Sequence, residues 1–452
     1  MRHVTDADME QLLSGRLESS EEQVLLRHLL SRCRFCRKHL ELIAEILSDE
    51  GDEGIDAPFE DPGYDLAIDR ALAAAETAVP HWREEASRVT RNLAEAPQHP
   101  RGVLDLPKET PDEFSWSWVE TLLQVIPAER YRDPQHMLML ALSAEAQAKE
   151  LRQSGLYASA LAADLHARAL SELANAFRIN DQFAEATGLL NQAYAAQKEG
   201  TGDPLVLARI LSVGASLRAA ERHLDVAIEA LNAAYQIYST VGETHLAGQA
   251  LVTKGIHIAH TGHYAEAAKI LQEGLDRLDI ASDPQLAVTG QYNYIYNLEL
   301  SGDYRRASRL LLESGLREAF ADEPLNLLKL RWLEGKIHVG LGRLRQAETA
   351  LTAARQGFFA KSQSYDAALV GLDLLAVWLR QDKAAKAQEL AEDVLETFVD
   401  LGIRPEALKA VRYLREACLQ RAATPVLVKT VVDFLRQSEW QPLLRFAPQG
   451  SR

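Results

Sequence analysis

Cysteine and long apolar runs are scarce in this sequence of 452 residues. Its three cysteines are Cys33, Cys36 and Cys418, too few for a disulfide framework. No apolar stretch approaches the roughly 18 residues that a membrane helix needs, and the first residues lack the apolar core of a signal peptide. These absences predict a cytoplasmic protein without a membrane partner.

Catalytic and phosphate-binding signatures are also missing. The sequence has no nucleophile elbow, glycine-rich phosphate loop, dinucleotide fingerprint or HExxH pair. The net charge of -16 argues against direct nucleic-acid binding, because phosphate contacts need a basic surface. We therefore expect a protein that is not an enzyme and does not bind nucleic acid directly.

A unit of about 40 residues recurs six times between Leu165 and Leu401. Each copy has an aromatic or apolar residue, here called the anchor, and an alanine three residues after it. Successive alanines are 41 and then 40 residues apart: Ala186, Ala227, Ala267, Ala307, Ala347 and Ala387. Because only a small side chain fits where two helices cross closely, we predict that these alanines are buried between paired helices.

Helix-starting residues and turn residues follow the same period. Proline is favoured at the first position of a helix, and serine or threonine at its cap. Such residues stand twenty positions before five anchors, at Pro204, Thr244, Pro284, Pro324 and Ser364. Turn residues stand two positions before an anchor, at Gly262, Gly302 and Gly342. Each unit is therefore predicted to be two helices of about sixteen residues joined by a tight turn.

Pattern and spacing resemble tetratricopeptide repeats (TPRs), in the long-helix form found in sensor arms of some bacterial regulators. The resemblance implies an all-α fold, an α-solenoid of TPR-like hairpins that occupies residues 161–440 and ends in a closing helix. Residues 113–160 are predicted to form capping helices, because the first repeat of a solenoid needs a cover for its apolar edge. Residues 441–452 are predicted to be a tail that is disordered from Phe446.

The N-terminal domain, residues 1–48, combines three short predicted helices with metal-ligand side chains. Helices this short bury little apolar surface, so something else must hold them together. The stretch His28-x4-Cys33-x2-Cys36 supplies imidazole and thiolate groups, which suit tetrahedral zinc. A dithiol redox pair and a CxxC without a ligand are the alternatives.

An N-terminal histidine followed by a histidine and two cysteines at a helix junction resembles the zinc-binding anti-sigma factors. The resemblance implies that His3, His28, Cys33 and Cys36 bind Zn²⁺ and that this domain holds a sigma factor. The family's usual spacing is histidine-x3-cysteine, so the extra residue here requires the helix to end or bulge before Cys33. His39 could replace either histidine.

A cluster of basic residues surrounds these positions without an intervening acid. Its members include Arg32, Arg34, Arg37 and Lys38. Such a cluster is either a solvated helix face or a docking surface for an acidic helix of a partner protein.

Three segments connect the N-terminal domain to the repeats. Residues 49–63 form an acidic linker, residues 64–94 an amphipathic helical segment, and residues 95–112 a proline-containing linker. The segment 64–94 either clamps the sigma factor, as the resemblance implies, or packs on the solenoid.

Several side chains in the repeats are candidates for binding. Tyr292, Tyr296 and Asn297 share one first helix, and the concave first-helix surface of a solenoid binds peptides or partner helices. We predict that these residues divide between the packed interior and the concave wall, and we take all three as candidate protein-binding residues.

Histidines and one cysteine in the repeats receive structural interpretations. His257, His260 and His263 are spaced by three, but His263 falls in a turn, so surface or groove positions are favoured over a second metal site. Cys418 stands in an apolar helical context and is predicted to be a core thiol.

Together these observations predict a non-enzymatic regulatory protein. Its zinc-stapled N-terminal domain binds a partner, for which a sigma factor is the best match, and the TPR-like array binds a second protein or peptide. The alternative is a scaffold adaptor in which the zinc module is only structural. A metalloenzyme is disfavoured, because two imidazoles and two thiolates leave no open coordination position.

Overall fold

The computed structural model of the protein describes residue 11, residues 116–441 and residues 443–447. Within these residues the chain forms helices and no strand. The predictions for residues 1–48, of which only residue 11 is described, and for residues 49–63, 64–94 and 95–112 lie outside the described residues. So do the predicted zinc ligands and basic residues, namely His3, His28, Cys33, Cys36, Arg32, Arg34, Arg37 and Lys38.

The chain divides into two compact units. Unit 1 comprises Met1–Ala220 with Ala233–Glu243, and unit 2 comprises Glu221–Asn232 with Thr244–Arg452. The described helices of unit 1 are α1 (Trp116–Glu129), α2 (Pro134–Ser154), α3 (Ser159–Ile179), α4 (Phe183–Lys198) and α5 (Pro204–Ala220), and α6 (Leu224–Thr240) belongs to both units. Unit 2 continues with α7 (Thr244–His260), α8 (Tyr264–Leu275), α9 (Pro284–Leu300), α10 (Tyr304–Glu313), α11 (Leu316–Ala319), α12 (Pro324–Gly340), α13 (Leu344–Ala360), α14 (Ser364–Arg380), α15 (Ala384–Asp400), α16 (Pro405–Leu419) and α17 (Pro425–Trp440).

The predicted repeat is confirmed, because helices begin at each predicted start. First helices begin at Pro204, Thr244, Pro284, Pro324 and Ser364, and second helices begin at the anchors Phe183, Leu224, Tyr264, Tyr304, Leu344 and Ala384. Proline suits these starts because its fixed φ is helical and the first N–H has no partner within the helix. The fold is an all-α array of TPR-like hairpins.

Capping differs in detail from the sequence expectation. Ser364 is the first residue of α14 and not its cap, and Gln363, which precedes it, makes no side-chain capping bond. The tight turn from the preceding helix and the packing of the new helix set the start here, and these outweigh the contribution of a cap. At α9, by contrast, Asp283 accepts a bond from the Leu286 backbone N–H at 3.0 Å.

The alanines after the anchors are buried as predicted. Five of them have no exposed surface, and Ala387 is 1% exposed. The leucine four residues later is also buried in four copies, at Leu190, Leu231, Leu271 and Leu351. Close helix crossing and a continuous apolar face therefore recur from unit to unit.

The turns between paired helices use left-handed backbone. Gly262 and Gly302 both have φ of 90°, and Gly342 has φ of 73°. Asp181 and Asp382 occupy the equivalent position in other copies with φ of 59° and 56°. Glycine adopts this conformation freely and aspartate tolerates it, so each turn closes within a few residues.

One hairpin departs from the predicted helix length. Helix α10 has 10 residues, fewer than the sixteen expected, because the chain breaks at Ser314 and turns at Gly315, with φ of 63°, before the short α11. The break leaves the Leu312 side chain 86% exposed. It also borders a cavity of about 230 Å³, lined in part by Leu312 and by His338 of α12.

Helices α1 and α2 share an apolar core with α3 in unit 1. Leu122 and Ile126 of α1 and Leu140 of α2 are fully buried, and they pack with Leu165 and Leu173 of α3. Helices α1 and α2 therefore cover one apolar side of α3.

Unit 2 ends in a cap. Cys418 of α16 is buried, as predicted, and burial raises the pKa of its thiol to about 11. The predicted disorder from Phe446 is wrong at that residue, because Phe446 is only 5% exposed and contacts the rings of Phe434 and Tyr413. None of the helices in the described residues has both the length and the apolarity to cross a membrane.

Candidate protein-binding site

One face of α9 carries aromatic and acidic side chains. Tyr292, Tyr296 and Glu299 are spaced by four and three residues, which places them along one side of the helix. The two tyrosine rings stack with centroids 6.1 Å apart, and the edge of Phe320 meets Tyr292 at 6.4 Å. The sequence thus builds an aromatic strip that ends in a carboxylate.

Lys336 of α12 faces the end of this strip. Its Nζ lies 2.5 Å from Glu299 Oε2 and 4.6 Å from the centroid of the Tyr296 ring. Both charged side chains are about nine-tenths buried, with 7% and 10% of their surface exposed. Burial lowers the pKa of Lys336, but Glu299 and Tyr296 more than offset this, and the pKa rises above its ordinary value. Lys336 therefore stays charged.

A second carboxylate completes the charged cluster. Asp373 of α14 accepts a hydrogen bond from the Trp332 indole N–H at 2.7 Å. Burial raises the pKa of Asp373 above its usual range, against the opposing effects of Lys336, the Trp332 bond and Arg436. Three successive first helices, α9, α12 and α14, each supply one carboxyl or amino group to the cluster.

Arg436 reaches the same cluster from α17. Its guanidinium carbon lies 5.7 Å from the centroid of the Tyr296 ring. Burial lowers the pKa of Arg436, but Tyr296, Asp373 and Glu299 raise it further, so the net shift is upward. We define the charged cluster as Tyr296, Glu299, Lys336, Asp373 and Arg436.

The last turn of α17 makes a second set of contacts within unit 2. The Trp440 ring stacks on His260, with centroids 3.6 Å apart and an angle of 16° between planes. The Arg222 guanidinium carbon lies 4.2 Å from the centroid of the same indole. Burial, followed by the charges of His257 and Arg222, lowers the pKa of His260 to about 3. His260 is therefore a neutral platform for Trp440 at ordinary pH.

The structure places the three candidate binding residues of the repeats in different surroundings. Tyr292 and Tyr296 lie together on the first-helix face, beside the cations Lys336 and Arg436. Asn297 has no exposed surface, and its amide donates to the Asn293 carbonyl at 2.8 Å, so the structure places it in the packed interior.

The histidine triplet does not converge on one point. His257 and His260 have ring centroids 6.4 Å apart, while the His263 ring contacts the Thr261 hydroxyl at 2.8 Å. Across residues 116–441 and 443–447, no group of three or more histidine, cysteine or acidic side chains is arranged to hold a metal ion.

Sequence reasoning missed most of the charged cluster. Glu299 and Lys336 each stand in the last turns of an apolar first helix. Because charged side chains are seldom buried unless paired, their position among buried residues could have indicated an ion pair. The approach of Arg436 and Trp440 had no such signal, because sequence periodicity does not say where the far end of a closing helix lies.

Unit 1 carries its own row of ion pairs between helices. Arg168 of α3 makes a two-bond contact with the Glu120 carboxylate of α1, at 2.5 and 2.8 Å. Glu172 of α3 pairs with Arg209 of α5, whose Nη2 lies 2.6 Å from Glu172 Oε1. Burial lowers the pKa of both arginines, but the paired glutamates raise it more. These first helices are therefore joined by fixed, paired charges.

Comparisons with known proteins bear on the fold. The apo form of RapI superposes with a TM-score of 0.50 at 14% identity, covering 70% of this chain and 86% of RapI. A Rap protein complexed with competence and sporulation factor gives 0.49 at 14% identity, covering 72% and 88%. Aspartyl phosphate phosphatase F from Bacillus subtilis gives 0.45 at 13% identity, covering 88% and 95%. No family model and no curated protein matches the chain. At this identity, the likeness to RapI shows a shared helical-repeat fold alone.

Proposed function

We propose that this chain is a non-enzymatic regulatory protein that binds another protein or peptide through the first-helix faces of its repeats. The observation that carries the proposal is the seating of α17 on the charged cluster of unit 2. An amphipathic helix is held there by an aromatic strip, buried charges and a stacked indole, which are the elements of helix recognition in a groove.

The composition of the faces supports binding over catalysis. Four carboxylates on these helices are each paired with a lysine, an arginine or an indole N–H, namely Glu120, Glu172, Glu299 and Asp373. Groups held in this way stabilise one arrangement and give orientation to a partner, and they are not poised to transfer protons.

Partner capture with matched variants tests the proposal. The full chain is immobilised and compared with Tyr296→Ala, Arg209→Ala and the control Arg305→Gln, which changes an exposed residue of the second helix α10. We expect a recovered protein whose binding, measured afterwards by calorimetry, weakens with a first-helix variant and not with the control. Equal binding to all four chains would contradict a role for these faces.

We further propose that the N-terminal domain binds Zn²⁺ through His3, His28, Cys33 and Cys36 and holds a sigma factor. The support is the sequence pattern alone, and the runner-up is a scaffold adaptor whose zinc module is structural. Metal analysis of the full chain against a Cys33→Ser, Cys36→Ser variant tests the first part. We expect one zinc per chain, lost in the variant, and equal metal content in both would overturn the assignment.

The sigma-factor assignment has a separate test. Capture of a purified sigma factor by the full chain, but not by the double serine variant, is the expected result. Binding that persists in the variant, or that depends only on repeat residues such as Tyr296 or Arg209, would favour the adaptor.

A further inference from the structure

Helix α17 has two recognition surfaces that differ in character. Toward its start, Val428, Val431 and Leu435 are buried in the apolar core that α14, α15 and α16 share. These residues close the end of the array, as a solenoid cap must. They follow a spacing of three and four residues, which is one stripe of a helix.

Toward its end, α17 extends past that core to earlier hairpins. Arg436 and Trp440 are one turn apart, and they reach Tyr296 of α9 and His260 of α7. Between them, Gln437 lies so close to the α7–α8 turn that a Cβ built on Gly262 would be 3.1 Å from its Nε2. Closing the array does not require any of these contacts, because Val428, Val431 and Leu435 already cover the last hairpin.

The contacts made by the end of α17 are those that a bound helix makes. They comprise one cation over an aromatic ring and one indole stacked on an imidazole, with a guanidinium over the indole. The helix is joined to α16 by the short stretch 420–424. Such a tether gives an effective concentration on the order of millimolar, so the chain's own helix competes strongly with any free ligand.

Building on the proposed function, we propose that the end of α17 is an internal ligand of the first-helix face of unit 2, and that a partner's amphipathic helix displaces it. The partner helix carries an arginine at position i and an aromatic residue at i+4. This is the pattern of Arg436 and Trp440.

A peptide with the sequence of residues 425–441, labelled with fluorescein, is the probe. Its binding to the full chain is followed by fluorescence anisotropy in three proteins: the unaltered chain, an Arg436→Gln, Trp440→Ala variant, and a Lys429→Gln, Glu439→Gln control. The control alters exposed residues of the same helix. The variant keeps the apolar stripe and loses only the contacts at the far end.

We expect the peptide to bind the variant about tenfold or more tightly than the other two proteins, because the competing end of α17 is weakened. A peptide that itself carries the two substitutions should lose that binding. Equal affinity for all three proteins, or equal binding of both peptides, would overturn the proposal. Because the probe has the chain's own sequence, this result does not depend on the partner-capture experiment, and either proposal can fail without the other.

A second measurement covers a variant that folds poorly. A specific protease site is placed in residues 420–424 of the unaltered chain, and the protein is cleaved and then diluted. We expect the labelled peptide, added in excess, to exchange with the severed helix, while circular dichroism shows the remaining helices intact. Unfolding on cleavage, or no exchange with the peptide, would overturn the proposal.

Discussion

The buried pair of Glu299 and Lys336 allows a quantitative test of the charged cluster. Replacing Lys336 with Met removes the cation 2.5 Å from Glu299 and leaves that carboxylate nine-tenths buried, next to the second carboxylate Asp373. Breaking a buried pair from one side costs about 3 to 5 kcal/mol, because the remaining charge has lost its partner and its water. Glu299→Met should lower the free energy of unfolding by a similar amount, because the two buried cations Lys336 and Arg436 then have one carboxylate, Asp373, between them.

The double variant should be far more stable than the two single variants imply. With both charges replaced, Arg436 and Asp373 balance each other, and apolar replacement of a whole buried pair is often close to neutral. We therefore expect a coupling energy of about 3 kcal/mol or more from the double-mutant cycle. The measurement is urea unfolding followed by far-ultraviolet circular dichroism.

A surface pair provides the matched control for this cycle. Arg277 Nη2 lies 3.1 Å from Glu273 Oε1, four residues away, with both side chains more than a third exposed. Its coupling should be about 0.3 to 0.5 kcal/mol, because water screens exposed pairs. If the coupling energy between Glu299 and Lys336 proved as small as that of the surface pair, the argument that the buried cluster joins three hairpins would be refuted.

Three further predictions concern single positions. Between pH 7 and pH 5 the free energy of unfolding should fall by about 2 kcal/mol through His260. Its folded pKa near 3 lies below the unfolded value of 6.5, so protons favour the unfolded chain. In urea titrations at the two pH values, His260→Phe should remove this loss. Gly274→Ala should lower the free energy of unfolding by about 1 to 3 kcal/mol, because the new Cβ would lie 2.8 Å from the Val252 backbone nitrogen. Gly188→Ala, in open space within α4, should raise it by up to about 1 kcal/mol. Cys418 should react slowly with a thiol reagent at pH 8 and rapidly in urea, because burial raises its pKa to about 11.

Each of these predictions has an outcome that would contradict it. His223→Gln, a change at an exposed histidine in unit 2, should leave the pH dependence as it is, and a matching loss there would discount His260. Equal thermal shifts for the two glycine variants would argue against close helix approach at Gly274. Fast labelling of Cys418 in the folded chain would mean that α16 opens readily.

The repeat was predictable because its signals are local. A proline at the first helical position, a glycine in the left-handed turn and an alanine at the crossing each act within a few residues, so Pro284, Gly302 and Ala307 could be assigned from the sequence alone. The break after α10 also had a local signal, since Ser314 and Gly315 interrupt an otherwise helical stretch.

The charged cluster was less predictable because its members are distant in the sequence. Residue type makes Tyr296 a candidate for binding, but it does not say which residues of this helix face the groove, and Asn297 lies in the interior. Whether Lys336 meets Glu299 depends on the rotation of one first helix against the next, which periodicity constrains only loosely. The destination of Trp440, some 180 residues from His260, is a long-range packing result that local rules do not reach.

Repeat proteins are usually regarded as strings of exchangeable modules, and the charged cluster sets a limit on that freedom here. Glu299, Lys336 and Asp373 come from three hairpins in succession, one from each. Removing or duplicating any one of these hairpins would leave a buried charge without an oppositely charged partner. These three repeats are therefore expected to be inherited and engineered as a block.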